Sequence, residues 1–424
     1  MTASTLTGEN FSERDGGNLW REFLERDPRT DCFKIQFPHG VILEQSRRKH
    51  FYRGERKLYP STTSTLERKL SSMHSETERE LYRLVSDMRI FEFSQLINNF
   101  ESVWSWKYCD VLYEALAQHY GLETDWLDIA NDFAVALFFA TCICDNGEWR
   151  PLDKRDLSND EQSEWGVIFH KPSKNVAARE IELNRYFYSP RSDPITDRPL
   201  ISDVPKNYPY PFGYQPFARC SLQSGYGIYS RGTGSLQDDP TWEKLLFRQS
   251  VELSRSVFEA MDGGRKIYPD ESLKGIKPHI EVITHATRFS PEAFSYALER
   301  NHLFQKSQSE ACLNELSRFT IDGKEVRIAA KPWSLGKSRI IDVDAKSAGE
   351  RLRRAEDLIV TTRKSLMYLG HGLWAPWMLP EKRDMPGIGD MSYRIIDSID
   401  YANFSDKNAF RSNSMFLTGA LPDF

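Results

Sequence analysis

The sequence is poor in several things, and each shortage removes a class of protein. Cysteine is scarce, with 6 in 424 residues. Only Cys142 and Cys144 lie close together, and no second thiolate pair follows to complete a zinc site, so no metal is expected. The cysteines read as buried free thiols of a reducing compartment. Long apolar runs are missing too. The longest, Phe133–Cys144, has 12 residues and is interrupted only by Thr141, whereas a membrane-spanning helix needs about 20. Residues 1–17 are polar and hold no apolar signal core. The chain therefore reads as cytoplasmic, with no membrane partner. Charge of one sign is also lacking: 56 Lys and Arg stand against 61 Asp and Glu, a net of −5. Without a basic field, nucleic acid is not the expected partner. No GxGxxG follows a strand, no GxxxxGK[ST] or GxSxG occurs, and the 9 histidines form no HExxH. Rossmann, P-loop, nucleophile-elbow and zincin chemistries are thus unsupported. There is no internal repeat and no low-complexity tract.

What is present is apolar and aromatic in bulk. Hydrophobic residues make up 40% and aromatics 12%, enough to exclude wholesale disorder. Residues 1–28 read as a flexible polar segment. Strands are expected at Cys32–Phe37, Gly40–Glu44 and Phe51–Arg53. Ser61–Thr65 offers N-caps to a helix carrying Leu66, Leu70 and Met73, and Leu81, Leu84, Val85 and Met88 continue the helical period. Val103–Tyr120 reads as a helix ended by Gly121. Phe133–Cys144 is apolar on every face, as a buried helix is, with Asn131 or Asp132 as its cap. Gly166–Lys171 reads as a strand. Residues 183–232 carry Pro190, Pro194, Pro199, Pro205, Pro209, Pro211 and Pro216, which forbid a long helix and mark an irregular excursion. It ends in a strand within Cys220–Ser230. Asp239-Pro240 predicts a helix running from Trp242 to Met261, His279–Thr284 alternates like a strand, and helices are expected from Ser290-Pro291 to Leu298, over Ser309–Phe319 and over Asp344–Leu366.

The expected fold is α+β: a mixed or antiparallel sheet core with flanking helices and a mostly helical C-terminal extension. The expected units are the flexible segment 1–28, an α+β domain at 29–290 that includes the excursion, and a helical region at 291–424.

Two segments carry candidate chemistry. The first is Phe51-Tyr52-Arg53-Gly54-Glu55, followed by Leu58-Tyr59-Pro60-Ser61 and Arg68. A guanidinium suits a bidentate grip on phosphate or carboxylate, and a glycine behind it lets a ligand approach the backbone. The plain alternative is an edge-strand arginine paired with Glu55 or another acid. The second runs from Gln118-His119-Tyr120-Gly121-Leu122 through Thr124, Asp125, Trp126, Leu127 and Asp128 into the apolar helix. Here a helix ends, a tight connection crosses, and two carboxylates stand near the N-terminus of the next helix, where its dipole favours them. The alternative is plain capping, with His119 bonded to a carbonyl.

Together these segments resemble the FRG domain, a family named for Phe-Arg-Gly. Its pattern continues with Leu-x-Pro-Ser, then Gln-His-Tyr-Gly-Leu-x-Thr-x-Leu-Leu-Asp, then a Val-Ala-Leu-x-Phe-Ala helix. The match is firm over roughly residues 45–145 and looser through Gly166–Phe169 and Gln223–Tyr229. Tyr52 replaces the usual Phe, and Asp125-Trp126 replaces a common Arg-Leu, reversing a charge. The order of motifs is also similar, at the level of fold, to ADP-ribosyltransferase-like domains with a split sheet. That similarity implies NAD as substrate. Arg53 would hold the pyrophosphate or a ribose, Gly54 would admit the nicotinamide amide, and Thr124 would supply the second strand's hydroxyl. Tyr120, Trp126 or Tyr229 would stack on the nicotinamide. Asp125 or Asp128 would stabilise the developing positive charge. Gln223 would orient ribose hydroxyls, and His119 would act as acid or base. This enzyme, a transferase or NAD hydrolase serving as a bacterial toxin or defence effector, stands against a second expectation. In that one the chain is a nucleotide-sensing or protein-interaction module, with a partner on 183–232 or the C-terminal region, and Arg53 is a structural partner of Asp125 or Asp128.

Overall fold

The computed structural model describes residues 11–25, 32–37, 40–45, 49–97, 113–145, 147–158, 160–173, 223–268, 277–301, 303–304 and 308–329. It also describes short pieces at 192–193, 198–199, 209–211, 219–220, 334–335, 338–342, 366–370, 373–376, 392–396 and 399–400. A seven-stranded mixed sheet organises the chain. Its strands are β1 (Ser12–Arg14), β2 (Lys49–Glu55), β3 (Trp126–Ala130), β4 (Trp165–Ser173), β5 (Pro209–Pro211), β6 (Gly225–Tyr229) and β7 (Glu243–Arg248), in the spatial order β1-β7-β4-β2-β3-β6-β5. β1 runs parallel to β7, and every other neighbouring pair is antiparallel.

The helices are α1 (Gly16–Glu25), α2 (Thr65–Leu70), α3 (Glu76–Ile97), α4 (Tyr113–His119), α5 (Phe133–Thr141), α6 (Val251–Ala260), α7 (Lys277–Thr284), α8 (Pro291–Arg300) and α9 (Ser309–Leu316). They form two packs. Leu19 of α1, the apolar α5, and Leu253 and Val257 of α6 bury Tyr52, Ala130 and Ile168. Leu84, Val85 and Met88 of α3, with residues of α2, α4 and α7–α9, bury Trp126 and Tyr229. The alternate residues Phe51, Leu127, Ile129, Val167 and Phe169 enter a third cluster with Tyr226, Ile228 and Trp242. This is the period-2 alternation of strands buried on both faces. Among the described residues no helix is long and apolar enough to cross a membrane.

Local chemistry sets the element ends. Ser64 caps α2 by accepting from the Glu67 amide at 3.2 Å. Asp132 caps α5 by accepting from the Ala134 amide at 2.8 Å, and Ser290 caps α8 with Pro291 in the first turn. Each such cap is worth about 1 kcal/mol.

Several expectations change. The segment before Asp132 is a strand, β3, not a connection, so neither Asp125 nor Asp128 sits at the helix N-terminus. Trp242–Met261 is not one helix. β7 comes first, because a strand buried on both faces reads as an unbroken apolar run, and Ser250 then caps α6 from the Leu253 amide at 3.0 Å. His279–Thr284 is helical: α7 buries Ile280 and Ile283, three apart, and leaves Val282 exposed. The N-terminal segment contains β1 and α1, with Trp20 and Phe23 packed beside Leu19. The boundary expected at 290 runs through one core, since Phe289, Ala293, Phe294 and Leu298 pack in the α3 cluster. Beyond α9 the described residues are short strand pairs. The 344–365 part of the expected helix Asp344–Leu366, and all of Val103–Tyr120 before residue 113, lie outside the described residues, as does most of 183–232.

Candidate active site

The sheet is split at its centre. β2 pairs with β4 over all seven of its residues, from Lys49↔Ser173 to Glu55↔Val167. It meets β3 at one position only, Tyr52↔Ala130. Beyond it the two strands part, and Arg53 crosses the gap. Its Nη1 donates to the Asp128 carbonyl at 2.7 Å and its Nε to Glu55 Oε1 at 2.9 Å. Glu55 Oε2 in turn accepts from the Thr62 hydroxyl at 2.8 Å. The arginine is thus oriented by a buried carboxylate that is itself held. It lies on a central strand, not an edge.

A cavity of about 610 Å³ opens at this split, within the size range of small-ligand sites. Arg53, Gly54, His119, Asp128 and Gln223 line it, together with Gln118, Arg68, Arg219 and the rings of Phe139, Trp149 and Tyr268. Asp128 opens onto the cavity with a side chain 37% exposed. Burial in the fold pushes its carboxyl up to about 7, and the charges of Arg53 and Arg219 and a hydrogen bond from Gln118 hold it back from rising further. His119 Nε2 lies 3.7 Å from Asp128 Oδ1. Burial drives the imidazole well below its usual value, and the Arg219 charge adds to the effect. Both effects favour the neutral form of the ring. Gln223 Nε2 donates to the Ile267 carbonyl at 3.1 Å.

The other expected site residues do not line this cavity. Asp125 is engaged by Arg83, Nη1 to Oδ1 at 2.5 Å. Trp126 and Tyr229 are buried in the α3 cluster, their ring centroids 5.7 Å apart. Tyr120 packs near Phe93, with the Arg219 guanidinium 5.2 Å from its ring. Thr124 is fully buried and donates its hydroxyl to Gln118 Oε1 at 2.6 Å, so it positions a lining residue from behind. None of these could have been sorted by residue type alone, because burial is a property of the packed helices.

Gly54 lines the cavity and also has a packing reason. A Cβ there would sit 1.7 Å from the Ala136 carbonyl oxygen and 2.9 Å from the Ala140 amide. The glycine lets α5 lie directly on β2.

Arg219, Trp149 and Tyr268 were missed. Arg219 sits in the proline-rich excursion, and the two aromatics lie outside both motifs, so no spacing tied them to Arg53. Cys144 was expected to be buried. It is exposed and lines the cavity, because the apolar run leaves α5 at Thr141 and enters the hairpin strand Cys142–Asp145. Cys142, Cys220 and Cys312 are buried free thiols. Among the described residues no group of three or more His, Cys, Asp or Glu is placed to hold a metal ion.

Comparison with curated proteins found no match, and neither did comparison with solved structures. Residues 48–147 match the family model of the FRG domain. The matched segment holds β2, β3, α5 and the Arg53 and Asp128 walls of the cavity, whereas Trp149, Arg219, Gln223 and Tyr268 come from outside it. The chain carries an FRG domain, completed at its cavity by residues from the rest of the chain.

Proposed function

We propose that the cavity binds NAD and that the chain breaks its N-glycosidic bond, by hydrolysis or by ADP-ribosyl transfer. The observation that carries this reading is the meeting of Arg53, Asp128 and Gln223, from three separate strands or turns, around one cavity at a split sheet. Arg53 Nε and Nη1 are taken up within the protein, and Nη2 makes no hydrogen bond among the described residues. That nitrogen can take a phosphate oxygen. When the C1′–N bond breaks, the electron pair leaves with nicotinamide, which becomes neutral, and positive charge develops on the ribose. Ionised Asp128 stabilises that charge. Water, or an acceptor's nucleophile, then adds to C1′ and its proton leaves to solvent. Gln223, held through its amide nitrogen, offers its carbonyl oxygen to a ribose hydroxyl. An enzyme that consumes NAD harms the cell that holds it, which suits a toxin or defence effector.

A second reading has its own observation. The ties from Arg53 to Glu55 and to the Asp128 carbonyl also brace the split, as expected of a non-catalytic nucleotide-sensing or protein-interaction module. One experiment separates the two. Purified chain is incubated with NAD, free nicotinamide and ADP-ribose are followed by chromatography, and Arg53→Ala is run beside it with a thermal melt. The enzyme reading expects nicotinamide from the wild type, little from the variant, and similar melts. A lowered melt with no nicotinamide from either protein favours the brace.

A further inference from the structure

The cavity lining holds two chemically different groups of residues. One is Arg53 and Arg68, where burial, and then the charge of Arg53, lowers the Arg68 guanidinium. Arg68 Nη1 donates to the Thr63 carbonyl at 2.6 Å, which fixes the side chain beside Ser61 and Tyr59 of the lining. Two guanidinium groups lining one cavity match a diphosphate. The other group is the rings of Phe139, Trp149 and Tyr268, which touch one another. Centroids are 5.6 Å apart for Phe139–Trp149, 5.2 Å for Trp149–Tyr268 and 6.3 Å for Phe139–Tyr268. The Arg219 guanidinium lies 4.5 Å from the Tyr268 ring centre. Trp149 and Tyr268 are half-buried, so ring surface remains open to the cavity. The charges of both Arg53, of the first group, and Arg219, beside Tyr268, act on the Asp128 carboxyl.

We propose that Trp149 and Tyr268 form the seat of the leaving base, while Arg53 and Arg68 grip the diphosphate, so that the ligand crosses the split with its glycosidic bond beside Asp128. The assignment rests on the NAD reading and adds its orientation. It also gives the aromatic group a task that the family motif, which stops short of both rings, does not cover. Stacking of one base on such a platform changes affinity by about ten- to a hundredfold.

The test compares two ligands that differ at the base end alone. Carba-NAD, whose glycosidic bond does not cleave, carries the nicotinamide; ADP-ribose lacks it. Both are titrated calorimetrically into the full-length wild type, Trp149→Ala, Tyr268→Leu and Arg68→Ala. The base seat requires that Trp149→Ala and Tyr268→Leu weaken carba-NAD about tenfold or more and leave ADP-ribose within about twofold. Arg68→Ala should weaken both ligands alike. The ratio of the two affinities within one variant does not depend on the fraction folded, so partial destabilisation of Trp149→Ala does not blur it. If both ligands bind the wild type and the aromatic variants weaken them equally, or weaken neither, the seat is wrong and the NAD reading stands. If neither ligand binds the wild type, the NAD reading falls, and the seat with it.

Discussion

Asp125 and Asp128 lie three residues apart in one segment and have opposite surroundings. Asp125 ends in a network of two arginines and three carboxylates. Arg83 binds it at 2.5 Å, Glu67 at 2.6 Å and Glu80 at 3.2 Å, and Arg231 adds a contact to Glu80 at 3.2 Å. These groups join α2, α3, β3 and the turn after β6, and the Arg83 side chain is 9% exposed. Asp128 ends at a cavity. The nearest arginine takes its backbone carbonyl, not its carboxyl. A carboxylate that an arginine takes directly holds the fold; one that meets a cavity, the Gln118 amide and the His119 ring is open to a ligand.

The largest effect should come from breaking the Arg83 network. Asp125→Ala removes a partner of a mostly buried arginine, a loss of about 3–5 kcal/mol. Because Glu67 and Glu80 remain on Arg83, the lower end is expected. Denaturant unfolding measures it, and nicotinamide release by the fraction still folded should be little changed. A variant as stable as the wild type but inactive would reverse the roles given to the two residues.

Asp128→Asn should show the opposite pattern. Loss of a stabilising charge at the reacting ribose is expected to lower kcat for nicotinamide release by about a hundredfold, with the melt at neutral pH unchanged or raised. A hundredfold loss matched by a comparable loss of stability would make Asp128 another structural carboxylate.

This difference was only partly legible in the sequence. The strands around Arg53, the cap-and-helix of α2, the buried α5 and its acidic cap followed from local spacing, because those elements carry their own signals. β3 did not: Trp126, Leu127, Ile129 and Ala130 are buried on both faces and show no alternation of apolar with polar residues. The motifs brought forward Arg53, His119, Asp128 and Gln223, which the structure gathers around one cavity, and also Asp125, Trp126 and Tyr229, which pack elsewhere. Arg83, the residue that claims Asp125, sits in the middle of α3 more than forty residues earlier, and nothing in a linear reading links the two. The aromatic group of the cavity lining was hidden for the same reason: Phe139 reads as core, while Trp149 and Tyr268 are isolated rings that only tertiary packing gathers.

The smallest effect is the dependence on pH, and its sign is fixed by burial. In the folded chain the Asp128 carboxyl titrates near 7, against about 3.8 when unfolded. Between those values the folded state keeps a proton that the unfolded state has lost, so this group's contribution to stability is full below about 3.8 and is lost as pH rises through about 7. Asp87, pushed by burial to about 6, acts in the same direction. His119 acts in the other: its folded value is depressed, so its contribution is present above about 6.5 and lost as pH falls below that. Subtracting the melts of Asp128→Asn from those of the wild type isolates the first term. The asparagine variant should gain on the wild type as pH rises from 5 to 8. Over the same range, wild-type nicotinamide release should rise through a limb near pH 7, since the ionised carboxylate is the working form. Activity and stability would then move in opposite directions across one titration. A stability difference that is flat with pH would show a carboxyl as well solvated as any on the surface, and would remove the electrostatic distinction between Asp128 and an ordinary aspartate.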